Sequence, residues 1–132
     1  MIGIDIVQIK RIAKAASKPA FIKRVFTDAE TAYFKKGGER IETLAGMFAL
    51  KEAAAKALGT GFAGFGLKDV EVSHDEKGAP HIVFHGKAFE IFKAAAGIKS
   101  TAPLNNAAAY DVIECSVSHE KKYAVAVVRI EN

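Results

Sequence analysis

Between Glu42 and Leu58 the chain is a strong helix former, rich in alanine, and Gly59 is placed to end it. Within this segment Glu52 and Lys56 stand four residues apart and share a face with Phe48 one turn earlier. Taken alone, such a pair is a surface ion pair worth a few tenths of a kcal/mol. The setting argues for more. The run Phe48-Ala49-Leu50-Lys51-Glu52-Ala53-Ala54-Ala55-Lys56-Ala57-Leu58-Gly59 surrounds the charges with small residues, so a bulky ligand can reach the helix.

Other elements follow from periodicity and punctuation. Ile2, Ile4, Ile6 and Val7 read as a short strand with Asp5 on the opposite face. From Gln8 to Ser17 the period becomes helical, with Ile9, Ile12, Ala13 and Ala16 on one face and Arg11, Lys14 and Lys18 on another. Thr27-Asp28-Ala29-Glu30 has the form of a capping box and starts a helix that ends near Gly37-Gly38. Residues 68–86 read as a hairpin turning at Asp75-Glu76-Lys77-Gly78, residues 87–96 as a helix, and residues 113–117 and 123–130 as strands. The stretch 98–112 has no assignable pattern. Long helices mixed with hairpins predict an α+β fold: one domain over 1–132, with a mostly antiparallel sheet and a long central helix.

Asp5 is the second notable carboxylate. Aspartate is depleted in strands and costly to bury unpaired, so the bland alternative is a strand-end residue paired with a nearby lysine. Two carboxylates and a lysine can instead hold Mg²⁺ beside a diphosphate. Gly59-Thr60-Gly61-Phe62-Ala63-Gly64 matches G-x-G-x-x-G, but a helix precedes it and a strand follows, the reverse of a dinucleotide fingerprint. A Rossmann site is excluded, while the glycines still allow a backbone loop to approach a phosphate. His74, His81 and His85 look like ordinary hairpin residues, and His119 ends Ser116-Val117-Ser118-His119 before a turn. Neither zinc-ligand spacing nor a Ser-His-Asp order stands out.

The chain carries 19 Lys/Arg against 15 Asp/Glu, a net +4. The excess lies in residues 1–40, where nine basic residues face four acidic ones. An acidic partner is expected there, either a protein or a nucleic acid. Phe21, Phe26, Tyr33 and Phe34 sit at spacings that suit a helix core, which disfavours a small basic nucleic-acid-binding domain. No apolar run reaches the ~20 residues of a membrane span, and no leader is visible, so no membrane association is expected. A lone Cys115 fits a reducing cytoplasm, and its alternation with Ile113 and Val117 predicts a packing role.

Several segments together resemble the holo-acyl-carrier-protein synthases, small bacterial trimeric members of the 4′-phosphopantetheinyl transferases. They are Gly3-Ile4-Asp5-Ile6-Val7 with Arg11-Ile12, Phe26-Thr27-x-x-Glu30, Ala45 through Gly61, Gly78-Ala79-Pro80, Ser116 through His119, and Tyr123-Ala124-Val125-Ala126. The resemblance covers nearly the whole chain, and the central run is its most specific part. It implies the phosphopantetheinyl transferase fold and Mg²⁺-dependent transfer of the phosphopantetheine arm of coenzyme A to a serine of apo acyl carrier protein. Adenosine 3′,5′-bisphosphate would leave, and the pathway would be fatty acid biosynthesis. It further implies Asp5 and Glu52 as Mg²⁺ ligands, with Lys56 beside the phosphates. Gly61, Pro80, Ser118 and His119 would lie along the coenzyme A cleft. Arg11, continued by Lys14 and Lys18, would dock the carrier, and a homotrimer would place the active sites at subunit contacts. Two departures from the family pattern are visible: only Gly3 remains of an initial G-x-G-x-D, and the stretch 98–112 is longer than the usual link.

Overall fold

The computed structural model describes residues 1–98 and 112–131. The link over 98–112 therefore falls, apart from its two ends, outside the described residues. Strand β1 (Ile2–Gln8) leads directly into helix α1 (Ile9–Ala16), then α2 (Pro19–Val25), α3 (Asp28–Lys36) and the long α4 (Ile41–Ala57). A 3₁₀ turn at Leu67–Asp69 precedes the hairpin of β2 (Val70–His74) and β3 (Pro80–Phe84). Helix α5 (Gly86–Ala95) follows, and strands β4 (Ile113–His119) and β5 (Tyr123–Ile130) form the second hairpin. All strand pairs are antiparallel, in one sheet of order β1-β5-β4 and a second of β2-β3. The expected α+β architecture is what the chain adopts.

Helix α4 is the hub. Leu44, Ala45, Met47, Ala49, Leu50, Ala53, Ala54 and Ala57 are all sealed from solvent, because the helix packs on several sides at once. Small residues set how closely it approaches the sheet. A Cβ on Gly3 would collide with the carbonyl oxygen of Ala53 and the amide nitrogen of Ala57, so only glycine lets β1 lie against the helix there. At the other side of the sheet, Gly46 meets a Val117 methyl group.

That approach decides the orientation of β1. Gly3, Asp5 and Val7 face α4, and Ile2, Ile4 and Ile6 point away from it, 69, 62 and 63% exposed. Across the ladder, Ile4 and Ile6 neighbour Val127 and Val125 on the same outer face. The strand thus turns Asp5 inward and its three isoleucines outward, the reverse of an ordinary half-buried strand.

Two local details differ from the sequence reading. The segment after α1 forms a further helix, α2, which begins on Pro19 at its first turn. Lys18 consequently leaves the helical face shared by Arg11 and Lys14. It adopts extended backbone, φ −102° and ψ 117°, because a residue before proline is pushed out of the helical region. The aromatics behave as their spacing suggests: Phe26 is buried, Phe21 and Phe34 pack against the core, and Tyr33 stacks on His74 with centroids 3.8 Å apart.

Candidate active site

Asp5 projects from the inner face of β1 toward the C-terminal half of α4. Its side chain is only 14% exposed, and its Oδ1 accepts a hydrogen bond from Lys56 Nζ at 3.0 Å. The same ammonium donates to the Ile4 carbonyl at 3.0 Å. Lys56 therefore reaches across to the strand rather than back along its own helix to Glu52. Glu52 stands one turn earlier on the same face. Burial, and next the neighbouring Asp5 carboxylate, push its pKa above the usual carboxylate range, against the opposing pull of Lys56. The structure thus brings Asp5, Glu52 and Lys56 into one cluster of two carboxylates and one cation.

The donor set suits a hard divalent cation in one specific way. Among the described residues no group of three or more His, Cys, Asp or Glu side chains converges on a metal position. Two carboxylates alone leave most of an octahedral shell to water and to ligand oxygens, which is how Mg²⁺ is ordinarily held beside phosphates. The raised proton affinity of Glu52 comes first from its burial and next from the Asp5 carboxylate, and a bound cation would oppose both.

Beyond the helix the chain enters the glycine loop. Gly61 has φ 58°, a left-handed conformation, with nothing within 4 Å of the place a side chain would take. Lys87 brings its ammonium against Gly64 in the same loop, a second cation that the sequence reading did not single out.

Pro80, Ser118 and His119 lie elsewhere. No hydrogen bond or ion pair among the described residues joins them to the Asp5 cluster. Pro80 opens β3, and its carbonyl accepts from the Cys115 thiol at 3.2 Å. Burial pushes that thiol up to about 11, so Cys115 is a packing residue and no nucleophile. Ser118 sits on the outer sheet face beside Val125, and His119 ends β4 over a cavity of about 160 Å³ shared with Arg40, Gly46, His74 and Gly78. The basic residues of α1, Arg11 and Lys14, are exposed. Arg11 borders a groove of about 440 Å³ floored by Ile12, Phe21 and Phe48, one turn from Glu52. The sequence did not disclose this groove, because Phe21 belongs to the unrecognised α2.

A family model described as the 4′-phosphopantetheinyl transferase superfamily matches residues 1–128. The chain belongs to this superfamily. Among similar curated proteins, a holo-[acyl-carrier-protein] synthase of Clostridium botulinum (strain Eklund 17B / Type B) is 44% identical over 131 residues, 98% of this chain and 95% of that protein. Among solved structures, the Neisseria meningitidis holo-[acyl-carrier-protein] synthase superposes with a TM-score of 0.78 at 32% identity, covering 99% of this chain and 97% of that one. The Helicobacter pylori synthase, solved in complex with coenzyme A, gives 0.75 at 30% identity over 99% and 100%.

In this phosphopantetheinyl transferase a further residue that the sequence reading overlooked is Lys51. It is fully buried and donates to Glu30 Oε1 at 2.7 Å, to the Val70 carbonyl at 2.7 Å and to the Leu67 carbonyl at 3.1 Å. Glu30 also accepts from the amides of Thr27 and Val72, so the capping carboxylate doubles as a core counter-ion. Burial lowers the Lys51 pKa, with Glu30 opposing that shift. A signal was present in the sequence. Lys51 lies at i+4 from Met47 and i−3 from Ala54, inside the apolar stripe of α4, where a lysine requires a buried acid.

Proposed function

We propose that this chain transfers the 4′-phosphopantetheine group of coenzyme A to a serine hydroxyl of an apo acyl carrier protein, releasing adenosine 3′,5′-bisphosphate. The observation that carries the reading is the Asp5–Lys56 contact at 3.0 Å beside Glu52, at the mouth of an open glycine loop. In the transfer, the serine oxygen forms a bond to the pantetheine-side phosphorus. The bond from that phosphorus to the bridging oxygen breaks, the serine proton is taken up by base, and the nucleotide leaves with the bridging oxygen. Such a step demands alignment and charge neutralisation more than covalent chemistry from the protein.

Lys56, with a side chain 54% exposed, can turn from Asp5 toward a phosphate and neutralise negative charge developing on it. The Gly61 backbone leaves room for the ligand to approach. Asp5 and Glu52 are the residues that would hold Mg²⁺, which when bound screens the diphosphate charge. Similarity to the synthases supports coenzyme A as co-substrate, the carrier as partner and fatty acid biosynthesis as the setting. Pro80, Ser118 and His119 are proposed as cleft residues on the likeness of their own segments to the family pattern.

The domain reading is a single transferase domain over 1–132, working in the cytoplasm; among the described residues no helix is long and apolar enough to cross a membrane. The assembly reading is a homotrimer. The outward isoleucines of β1, 62–69% exposed, form with Val125 and Val127 an apolar stripe that a subunit contact would cover. The carrier reading places Arg11, Lys14 and Lys18 at its docking surface, beside the apolar groove floored by Phe21 and Phe48.

Incubation with coenzyme A, Mg²⁺ and apo carriers, followed by mass spectrometry, tests the reading. The expected result is a phosphopantetheine mass gain that a chelator abolishes. Asp5→Ala and Glu52→Ala should each lose the gain and the heat of Mg²⁺ binding by calorimetry while keeping a native circular dichroism spectrum. Failure of the wild-type chain on several apo carriers would sink the proposal.

A further inference from the structure

A second concave surface lies where the end of β1 and the start of α1 meet the β4–β5 turn. It encloses about 320 Å³, and its lining is Gln8, Lys10, Lys121, Lys122 and Tyr123, three lysines with no acid among them. None of the three lysines makes an ion pair among the described residues. Glu120 is the nearest acid in sequence, and its carboxylate is committed elsewhere. It accepts from the backbone amides of Lys122 at 2.6 Å and Tyr123 at 2.9 Å, which fixes the turn. The Ile9 amide donates to the Lys122 carbonyl at 2.8 Å and ties that turn to the first residue of α1. The lysines are thus presented from a braced turn and a helix start rather than from a loose loop.

This basket adjoins the groove beside Arg11, since Gln8 and Tyr123 line both. From the catalytic face outward the surface therefore runs from Phe48, one turn before Glu52, through the apolar floor and Arg11 to three unpaired ammonium groups. A partner matching that sequence of chemistry has an apolar strip flanked by carboxylates. Three like charges held together without a counter-ion repel one another, and an acidic surface that docks there relieves the repulsion.

We propose that Lys10, Lys121 and Lys122 form a second acidic-partner subsite, which grips the acidic carrier protein at the same time as the Arg11 groove does. The inference rests on the carrier-transfer reading above. It assigns the β4–β5 turn a role in carrier binding and none in coenzyme A binding.

The test is steady-state kinetics of the Lys121→Glu/Lys122→Glu double variant, with both substrates varied separately at two salt concentrations. The side chains are exposed, so the fold should survive, which circular dichroism verifies. The expected result is a rise of about tenfold in the KM for the carrier, a KM for coenzyme A within about twofold of wild type, and a flatter dependence on salt. Lys121→Gln/Lys122→Gln should fall between. Carrier binding without coenzyme A, read by calorimetry, should weaken in the same order. A carrier KM within about twofold of wild type overturns the subsite, as does a rise confined to coenzyme A, which would make the basket a nucleotide contact. Either result leaves the transferase reading standing, because that reading fails only if the wild-type chain transfers nothing.

Discussion

The Lys51 ammonium and the Glu30 carboxylate meet at 2.7 Å with both side chains wholly excluded from solvent. Lys51 is the residue before Glu52, and adjacent positions on a helix point about 100° apart. An ammonium held by α3, the 3₁₀ turn and β2 therefore fixes the rotation of α4 about its axis, and with it the aim of Glu52 and Lys56. On the opposite side Gly3 sets the distance from β1. The candidate site is built on a helix located by one buried charge pair and one missing side chain.

Removing one partner of a buried pair strands the other. Lys51→Met should lower the free energy of unfolding by about 3–5 kcal/mol, and Glu30→Gln should also be strongly destabilising. The double variant should cost clearly less than the sum of the two, with a coupling energy above about 1 kcal/mol. Denaturant unfolding of the four proteins measures this. Additive losses would mean that the pair does not act as a unit.

Gly3→Ala places a methyl group where backbone atoms of Ala53 and Ala57 stand, and backbone cannot rotate aside. Strand β1 must then lift from the helix, at a cost of about 1–3 kcal/mol or more. The displacement separates Asp5 from Lys56, so transfer activity should fall at temperatures where the variant is fully folded. An enzyme with wild-type kcat and an unchanged melting temperature would show that the close approach has no consequence.

Much of this arrangement was legible from residue order. The alanine run and Gly59 marked α4, the lone aspartate on an apolar strand marked Asp5, and the Thr27–Glu30 capping box holds as read. What escaped was set by three-dimensional neighbours. The β1 pattern shows two faces but not which one meets the helix; a contact between Gly3 and residues fifty positions away decides it. The place of Lys51 in the apolar stripe of α4 calls for a buried acid, but residue order does not show that Glu30 is that acid until α3 and β2 close over the helix. Helix α2 has seven residues, too few for a periodic signal, and Pro19 reads equally well as a turn.

His74 gives the fold a pH dependence. Its ring lies flat on Tyr33, its Nδ1 is buried without a hydrogen-bond partner, and burial foremost, then His81, lowers its pKa, while Asp75 opposes. A histidine whose folded pKa lies below its unfolded value of about 6.5 favours the fold only while neutral. Its contribution is complete above that value and is lost as pH falls through it toward the lower folded pKa. His74→Phe keeps the stack and removes the titration. Its melting temperature should therefore fall less than that of the wild type between neutral pH and about pH 5. Parallel melting profiles for the two proteins would remove His74 as the cause.

The outer face of β1 carries the last prediction. An antiparallel sheet with one wet face ordinarily shows polar residues to water, yet here Ile2, Ile4 and Ile6 stand out with Val125 and Val127 beside them. Covering one such isoleucine is worth about 1.5–3 kcal/mol, and a threefold assembly repeats that gain in every subunit. Ile4→Glu puts a charge at the centre of the stripe without touching α4, since the side chain points away from the helix. The wild type should sediment as a trimer and the variant as a monomer with an unchanged circular dichroism spectrum. On the proposal that the active sites lie at subunit contacts, the monomer should also lose transfer, and loss of the assembly alone should suffice for it. An Ile4→Glu protein that remains trimeric, or a monomer that turns over at the wild-type rate, would place the subunit contact elsewhere and leave the outward isoleucines without a partner.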